Sequence, residues 1–263
     1  MLSVGTNESR VKKDQPSFSD RISSGAHLTG REFILLIEDA YNWHTADIVQ
    51  KNPFWVSILN EPEEVPEAVY HGLCIENYQL LFRESYFDSP ILPYSGNRRV
   101  RELVNEFYVE ELGHDKLLLK SLNYIGLSEA DLFESIPLPG TMALCNALSY
   151  WARVDPLFFF TTLGVLEGRE VEVDSFVVAM HRKELAKEFV GPIETHANIN
   201  KNAGHGALAR EIFEEIPGIS GIDAQRMLLQ AKQFILIYDR FYRGIWEHYR
   251  TAGTLLRQVS QFS

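Results

Sequence analysis

What this 263-residue sequence has little of narrows the reading first. It contains only two cysteines, Cys74 and Cys145, both inside apolar helical patterns. That leaves no disulfide framework of the kind that staples small secreted folds, and it suits packed thiols in a reducing cytosol. Positive charge is also short: 25 Lys and Arg stand against 36 Asp and Glu, a formal net charge of −11, with no basic cluster to offset it. A nucleic-acid backbone or an anionic membrane is therefore excluded as the main partner, since both need basic surface. No apolar run reaches bilayer length, for Pro156 to Leu166 is about half of the ~20 residues a span requires. The opening stretch, MLSVGTNESRVKKDQPSFSDRISSG, is charged throughout and lacks the apolar centre of a signal peptide. Repeats and low-complexity boundaries are missing as well. The expectation is a soluble, cytoplasmic protein, with residues 1–28 as an N-terminal extension and 29–258 as one domain large enough for a substantial core.

What is present is helical periodicity. Thr29 is placed to cap a helix from near Gly30 that carries Phe33, Leu36, Ile37, Ala40, Tyr41 and His44 on one side, and Pro53 breaks or restarts it. A second helix runs through EAVYHGLCIENYQLLFRESYF with Pro66 in its first turn. A third spans roughly Asn97 to Tyr124 as one continuous element. Ser128 opens a short helix with Asp131 positioned for a capping box. From Met142 the pattern resumes, with Pro156 as a kink or break. The run Phe158 to Thr162 has strand propensity but no alternating partner, so it reads as helix. Further helices are expected over Val173 to Val190, after Gly191-Pro192, and from Asp223 to about Arg250. Long helices, short turns and no βαβ rhythm predict an all-α bundle.

Several polar residues fall where such a bundle places leucines. At about 100° per residue, Leu103, Val104, Phe107, Leu118, Leu122 and Ile125 share a face, with Glu111 at its centre and His114 one turn on. Glu76 lies on a stripe with Val69, Leu73 and Leu80, and Glu167 on one with Phe160, Leu163 and Val171. His196 and Asn200 stand at i, i+4. His205 follows nine residues after His196, so the two converge only if the helix breaks between them, which Gly204 and Gly206 allow. An unpaired carboxylate in a core costs several kcal/mol or is forced to protonate. Glu and His together can instead pair with each other, or form an oxygen and nitrogen donor set suited to iron or manganese. In bundle di-iron sites Glu-x-x-His supplies two ligands from one helix. The ferritin-like version needs two such motifs and this chain has one at an inward place.

With Glu76, Glu111-x-x-His114, Glu167 and His196 in that order, the chain resembles the haem-oxygenase-like di-iron oxidases and oxygenases, a family of seven-helix bundles. The likeness runs over roughly residues 52–249. It implies a haem-oxygenase-like seven-helix fold and a centre of two ferrous ions held by Glu76, Glu111, His114, Glu167, His196, Asn200 and His205. It further implies that O2 activated there oxidises a small metabolite, an amino acid, amine or carboxylic acid, by N-oxygenation, oxidative C–C cleavage or desaturation in a biosynthetic pathway. An external electron donor belongs to that chemistry. Asn200 stands in the place of the family's Asp and His205 comes later than its second His, so the resemblance implies a labile second iron. Phe158, Phe159, Phe160, Tyr238 and Tyr242 are candidates for an apolar wall that excludes water. Arg153, Arg240 and Arg243 are candidate carboxylate clamps.

Two other functions remain open at this point. One is a metal-free enzyme of the same superfamily, similar to the thiamin-salvage hydrolases or the cofactorless oxidase of quinone-cofactor synthesis, with Glu and His as acid and base. The other is a non-catalytic helical binding protein whose buried Glu and His pair. Haem oxygenase activity would need an axial His from His44 or His71. Phe54 and Trp55 suit a homodimer or burial within the chain equally.

Overall fold

A computed structural model describes residues 27–167, 174–203 and 205–257, the side chains of residues 200–203, 205 and 206 excepted. The described residues form helices and 3-10 turns without a strand; a β-bridge joins Leu28 to Ile219. The helices are α1 (Gly30–Lys51), α2 (Pro53–Asn60), α3 (Glu67–Leu81), α4 (Arg98–Glu111), α5 (Asp115–Tyr124) and α6 (Glu129–Glu134). They continue with α7 (Pro139–Val154), α8 (Pro156–Leu166), α9 (Ser175–Arg182), α10 (Lys187–Ala203), α11 (His205–Glu214) and α12 (Gly221–Tyr249). Three-residue 3-10 turns at Glu84–Tyr86 and Ser89–Ile91 bridge α3 to α4.

The helix starts follow the chemistry of their caps. Thr29 accepts from the Glu32 amide while the Glu32 carboxylate takes the Thr29 amide, and Ser128 with Asp131 repeats this capping box. Pro53, Pro139 and Pro156 each occupy a first turn, where a missing N–H costs nothing. Pro139 therefore opens α7 three residues before the start at Met142 that periodicity alone indicates. Two other expectations fail for backbone reasons. The helix expected over Val173 to Val190 is split after Arg182 by a turn in which Glu184 has φ 58°. Gly191-Pro192, expected to separate elements, lies inside α10, where the Pro removes the helical bond to the Glu188 carbonyl; separately, Thr195 Oγ1 donates to the Gly191 carbonyl at 2.9 Å.

The longest helix, α12, is the hub: it packs on α1, α3 and α7, and Phe234, Ile235, Phe241 and Ile245 are buried along it. On one flank α5 packs against α3 and α10. Cys74 reaches the Leu118 carbonyl and Ser121 Oγ donates to the Phe189 carbonyl at 2.6 Å, which pins those three helices together. On the other flank α11 packs on α8 and α1. Both cysteines are free and buried. Phe54 and Trp55, the pair that suited either a dimer or internal packing, stack on Phe176 and Tyr242 of their own chain.

Candidate metal centre

Helix α4 buries Val100, Leu103, Val104, Phe107 and Glu111, and it stops at Glu111. The single helix expected from Asn97 to Tyr124 is thus two helices. Gly113 adopts φ 94°, a left-handed conformation that is costly for any residue with a Cβ. Periodicity missed this break because the turn returns His114 to the same face one turn later, so the apolar phase survives it. The His114 amide donates to the Glu111 carbonyl at 3.2 Å, and the ring Nδ1 comes 2.7 Å from Glu111 Oε2. That contact lacks the alignment of a hydrogen bond, leaving Nδ1 unsatisfied. Both residues are buried, at 3% and 4% exposure.

The packing of α5 on α10 then sets His196 against this pair. The His114 and His196 rings are perpendicular with centroids 4.8 Å apart. Glu167 follows the last turn of α8 as its C-cap. Sequence reading missed two further acids, Glu84 and Asp88, which come from the 3-10 segment after α3. The second helix was expected to continue through Glu84 to Phe87, but it ends at Leu81. Their i, i+4 spacing beside Tyr86 and Phe87 was the available signal. Burial pushes the Glu84 carboxyl up to about 11, and the negative charges of Asp88, Glu111, Glu167 and Asp115 add to that shift. Burial, followed by Glu167 and Glu111, holds Asp88 well above the usual carboxylate range. The negative charges of Glu111 and Glu167 thus raise the cost of ionising both Glu84 and Asp88.

Their placement also opposes the helix dipoles. Glu111 ends α4 and Glu167 caps the end of α8, where unsatisfied carbonyls already make the terminus negative and disfavour another anion.

Glu76 is elsewhere in energetic terms. It is 1% exposed, but Oε2 accepts from the Leu138 amide at 3.0 Å and from the Thr141 hydroxyl, and Oε1 accepts from Tyr249 at 2.8 Å. Leu138 is the N-cap of α7 and offers no side-chain cap of its own. The Glu76 carboxylate stands at that helix start instead, tying α3 to α7 and α12. Burial raises its carboxyl, while those three hydrogen bonds and the Arg257 charge oppose the shift. Glu76, grouped with the others on helical periodicity, has both carboxylate oxygens engaged by the donors of Leu138, Thr141 and Tyr249.

The side chains of Asn200 and His205 lie outside the described residues, as do Glu170 and Glu172. Gly204, where the break that convergence of His205 with His196 requires was expected, also lies outside the described residues. Phe158, Phe159 and Phe160 are buried, with Phe159 against Phe87 and Phe160 against Tyr94, so this wall backs the segment that carries Asp88. Tyr238 and Tyr242 share a hydroxyl contact of 3.2 Å within a separate aromatic cluster. Of the arginine candidates, Arg153 and Arg240 are exposed and Arg243 approaches Asp239 at 3.6 Å. His71 packs on Phe189, and burial lowers its imidazole.

Among the described residues, no three His, Cys, Asp or Glu stand in a finished metal-binding group. Carboxylates and imidazoles are the donor types that a divalent first-row metal takes, and the His114 Nδ1 is buried without a hydrogen bond.

The chain's topology has a solved counterpart. A domain of unknown function with a haem oxygenase-like fold, from Shewanella denitrificans OS217, superposes with a TM-score of 0.64 at 18% sequence identity, covering 82% of this chain and 92% of that one. The fold is haem-oxygenase-like. At that identity the likeness carries architecture alone, and the haem-oxygenase-like bundle hosts its chemistry in sites that must be argued from their own residues. No protein-family model and no curated protein sequence matches the chain. No described helix is long and apolar enough to cross a membrane.

Proposed function

We propose that this protein is a non-haem di-iron oxidase or oxygenase that uses O2 to oxidise a small amine, amino acid or carboxylic acid, with Glu111, His114, Glu167 and His196 holding metal. The observation that supports this reading is the contact of the Glu111 carboxylate with the His114 ring, and of that ring with His196. Iron bound there would supply O2 activation, and the carboxylates would offset its charge while leaving positions open. The protein's own contribution is then electrostatic and steric. The Glu111–His114 turn fixes two donors on opposite sides of a glycine. The Phe158–Phe160 run lies behind Phe87 and excludes water from the face that carries Asp88. Asn200 and His205 would complete a second, more weakly held position, since an amide oxygen brings no charge.

The test is anaerobic loading of metal-free protein with ferrous ion, followed by mixing with O2. The reading expects O2 uptake with a transient visible absorption, both lost in Glu111→Ala and His196→Ala chains that still fold. A chain that takes up iron but consumes no O2 would overturn the oxidase assignment.

A second reading is favoured by one observation, the lack of a finished three-residue metal group among the described residues. In it the bundle works without metal. Glu84, protonated at neutral pH, serves as a general acid beside the Glu111–His114 pair. Activity that survives rigorous chelation would select this reading over the first.

A further inference from the structure

We infer that the groove between α7 and α12 is a docking surface for an acidic amphipathic helix of a partner protein. Near the start of α7, Gly140 lies so close to α12 that a Cβ would come 2.8 Å from the Arg240 carbonyl oxygen. Past its end, Asp155 Oδ2 accepts from Arg226 Nε at 2.9 Å. The two helices therefore run antiparallel in contact. Beside this seam α12 exposes Ile222, Leu229 and Leu236 at i, i+7 and i+14, which share a face. Val154, next to the Asp155 that Arg226 holds, and Tyr150, one turn before it, are exposed on α7. All five are between 56% and 75% exposed. Single exposed apolar side chains are ordinary, whereas rows of them along neighbouring helices mark an interaction surface.

The seam is also incomplete in its polar bonding. Gln230 stands four residues from both Arg226 and Phe234, which touch Asp155 and Trp151. Its Oε1 is buried and meets no donor among the described residues. The charges at the rim then select the partner. Arg153, Lys232 and Arg240 are exposed and form no ion pair among the described residues. The acids nearest the rows are engaged: Asp223 by Ser220 and Arg226, and Asp239 by Asn52, with Arg243 beside it. Between Pro139 and Val154 there is no acid, and between Ala224 and Tyr238 there is none either. On a chain of formal charge −11, this groove has a cationic rim.

An acidic amphipathic helix answers both features, with apolar side chains for the rows and Asp or Glu for the rim. The row from Ile222 to Leu236 spans about 21 Å, the length of about four helical turns. Other occupants answer one feature at most. A second copy of the chain would set the cationic rim against its own like charges. Residues 1–26 carry four cations against three acids and so bring no negative charge. A nucleic acid leaves the apolar rows unmet, and an anionic membrane is repelled by the chain as a whole.

The experiment titrates the full chain into fluorescein-labelled synthetic peptides of about 18 residues, read by anisotropy. The first has Leu along one helical face and Glu elsewhere, the second scrambles that composition, and the third has Lys in place of Glu. Wild type is expected to bind the first about tenfold or more tighter than either other peptide, although the chain is acidic overall. Leu229→Ser with Leu236→Ser should lose the preference over the scrambled peptide at an unchanged melting temperature, because both side chains are exposed. Lys232→Glu with Arg240→Glu should invert the preference of Glu over Lys. No preference in wild type, or the wild-type preferences kept in both double variants, overturns the inference. A wild-type dimer that the double Ser variant makes monomeric overturns it in favour of a second copy. Binding to phosphatidylserine vesicles that the same variant abolishes overturns it in favour of a membrane.

Discussion

Glu76 and Asp88 are both buried acids with 1% and 2% exposure, and burial raises both carboxyls, yet they do opposite work. Glu76 is surrounded by donors, the Leu138 amide and the Thr141 and Tyr249 hydroxyls, on three different parts of the chain. Asp88 instead feels the negative charges of Glu167 and Glu111. The first arrangement is a tertiary helix cap satisfied by three donors; the second adds like charge to the cost of burial. Burial by itself therefore does not mark a functional acid. What marks it is the kind of neighbour the fold supplies, acids in place of donors.

The comparison can be broken most forcefully at Glu76. Glu76→Leu leaves three buried donors without an acceptor and should cost about 3–5 kcal/mol in urea unfolding, without loss of iron from the protein that remains folded. A cost under about 1 kcal/mol would show that the cap is not structural. Gly72→Ala acts on the same region from behind. A Cβ at Gly72 would come 2.2 Å from the Tyr249 ring, whose hydroxyl holds Glu76, so a loss of about 1–3 kcal/mol is expected. Gly113→Ala tests the other region. Its Cβ would have space, with only Lys116 Cδ at 3.9 Å, but not the φ of 94°. About 1–2 kcal/mol of backbone strain should therefore appear in the melt, together with weakened metal binding as the turn between Glu111 and His114 shifts. Unchanged metal affinity would mean that the turn does not set the site.

A last effect is one of pH. With Glu84 raised to about 11 and Asp88 raised well above the carboxylate range, the folded metal-free chain keeps protons that the unfolded chain releases. The stability they confer is complete below the ordinary carboxylate value and is lost as pH climbs toward the folded values. The melting temperature of metal-free protein should fall between about pH 6 and about pH 9, and metal affinity should rise over the same window as those protons are displaced. A melting temperature that rises with pH would place the acids in a different electrostatic setting.

The helices are legible in the sequence because each carries its own signals. Thr29 with Glu32, Ser128 with Asp131, and the first-turn prolines mark starts that need no tertiary information. Glu111 and His114 are legible as oddities on an apolar face. The site as a whole is less so, because it is assembled from chain ends rather than helix faces: Glu111 ends a helix, His114 precedes one, Glu167 caps one, and Glu84 and Asp88 lie between two. Helical periodicity detects what points inward from the middle of a helix, and it finds Glu76 there. It carries no information about which donors other segments bring, so an acid met by donors and an acid met by acids look alike in sequence. The break at Gly113 escapes for the same reason, since it preserves the phase that periodicity measures.

The central claim is that the crowded acids around Glu111 exist to hold a cation and that Glu76 does not. It is tested most directly by the iron content of protein loaded anaerobically with ferrous ion and then freed of unbound metal, comparing wild type with Glu111→Ala and Glu76→Gln. The account predicts about two iron ions per chain in wild type and in Glu76→Gln, and a loss of iron in Glu111→Ala. Iron-free wild-type protein, or equal iron in wild type and Glu111→Ala, would contradict it.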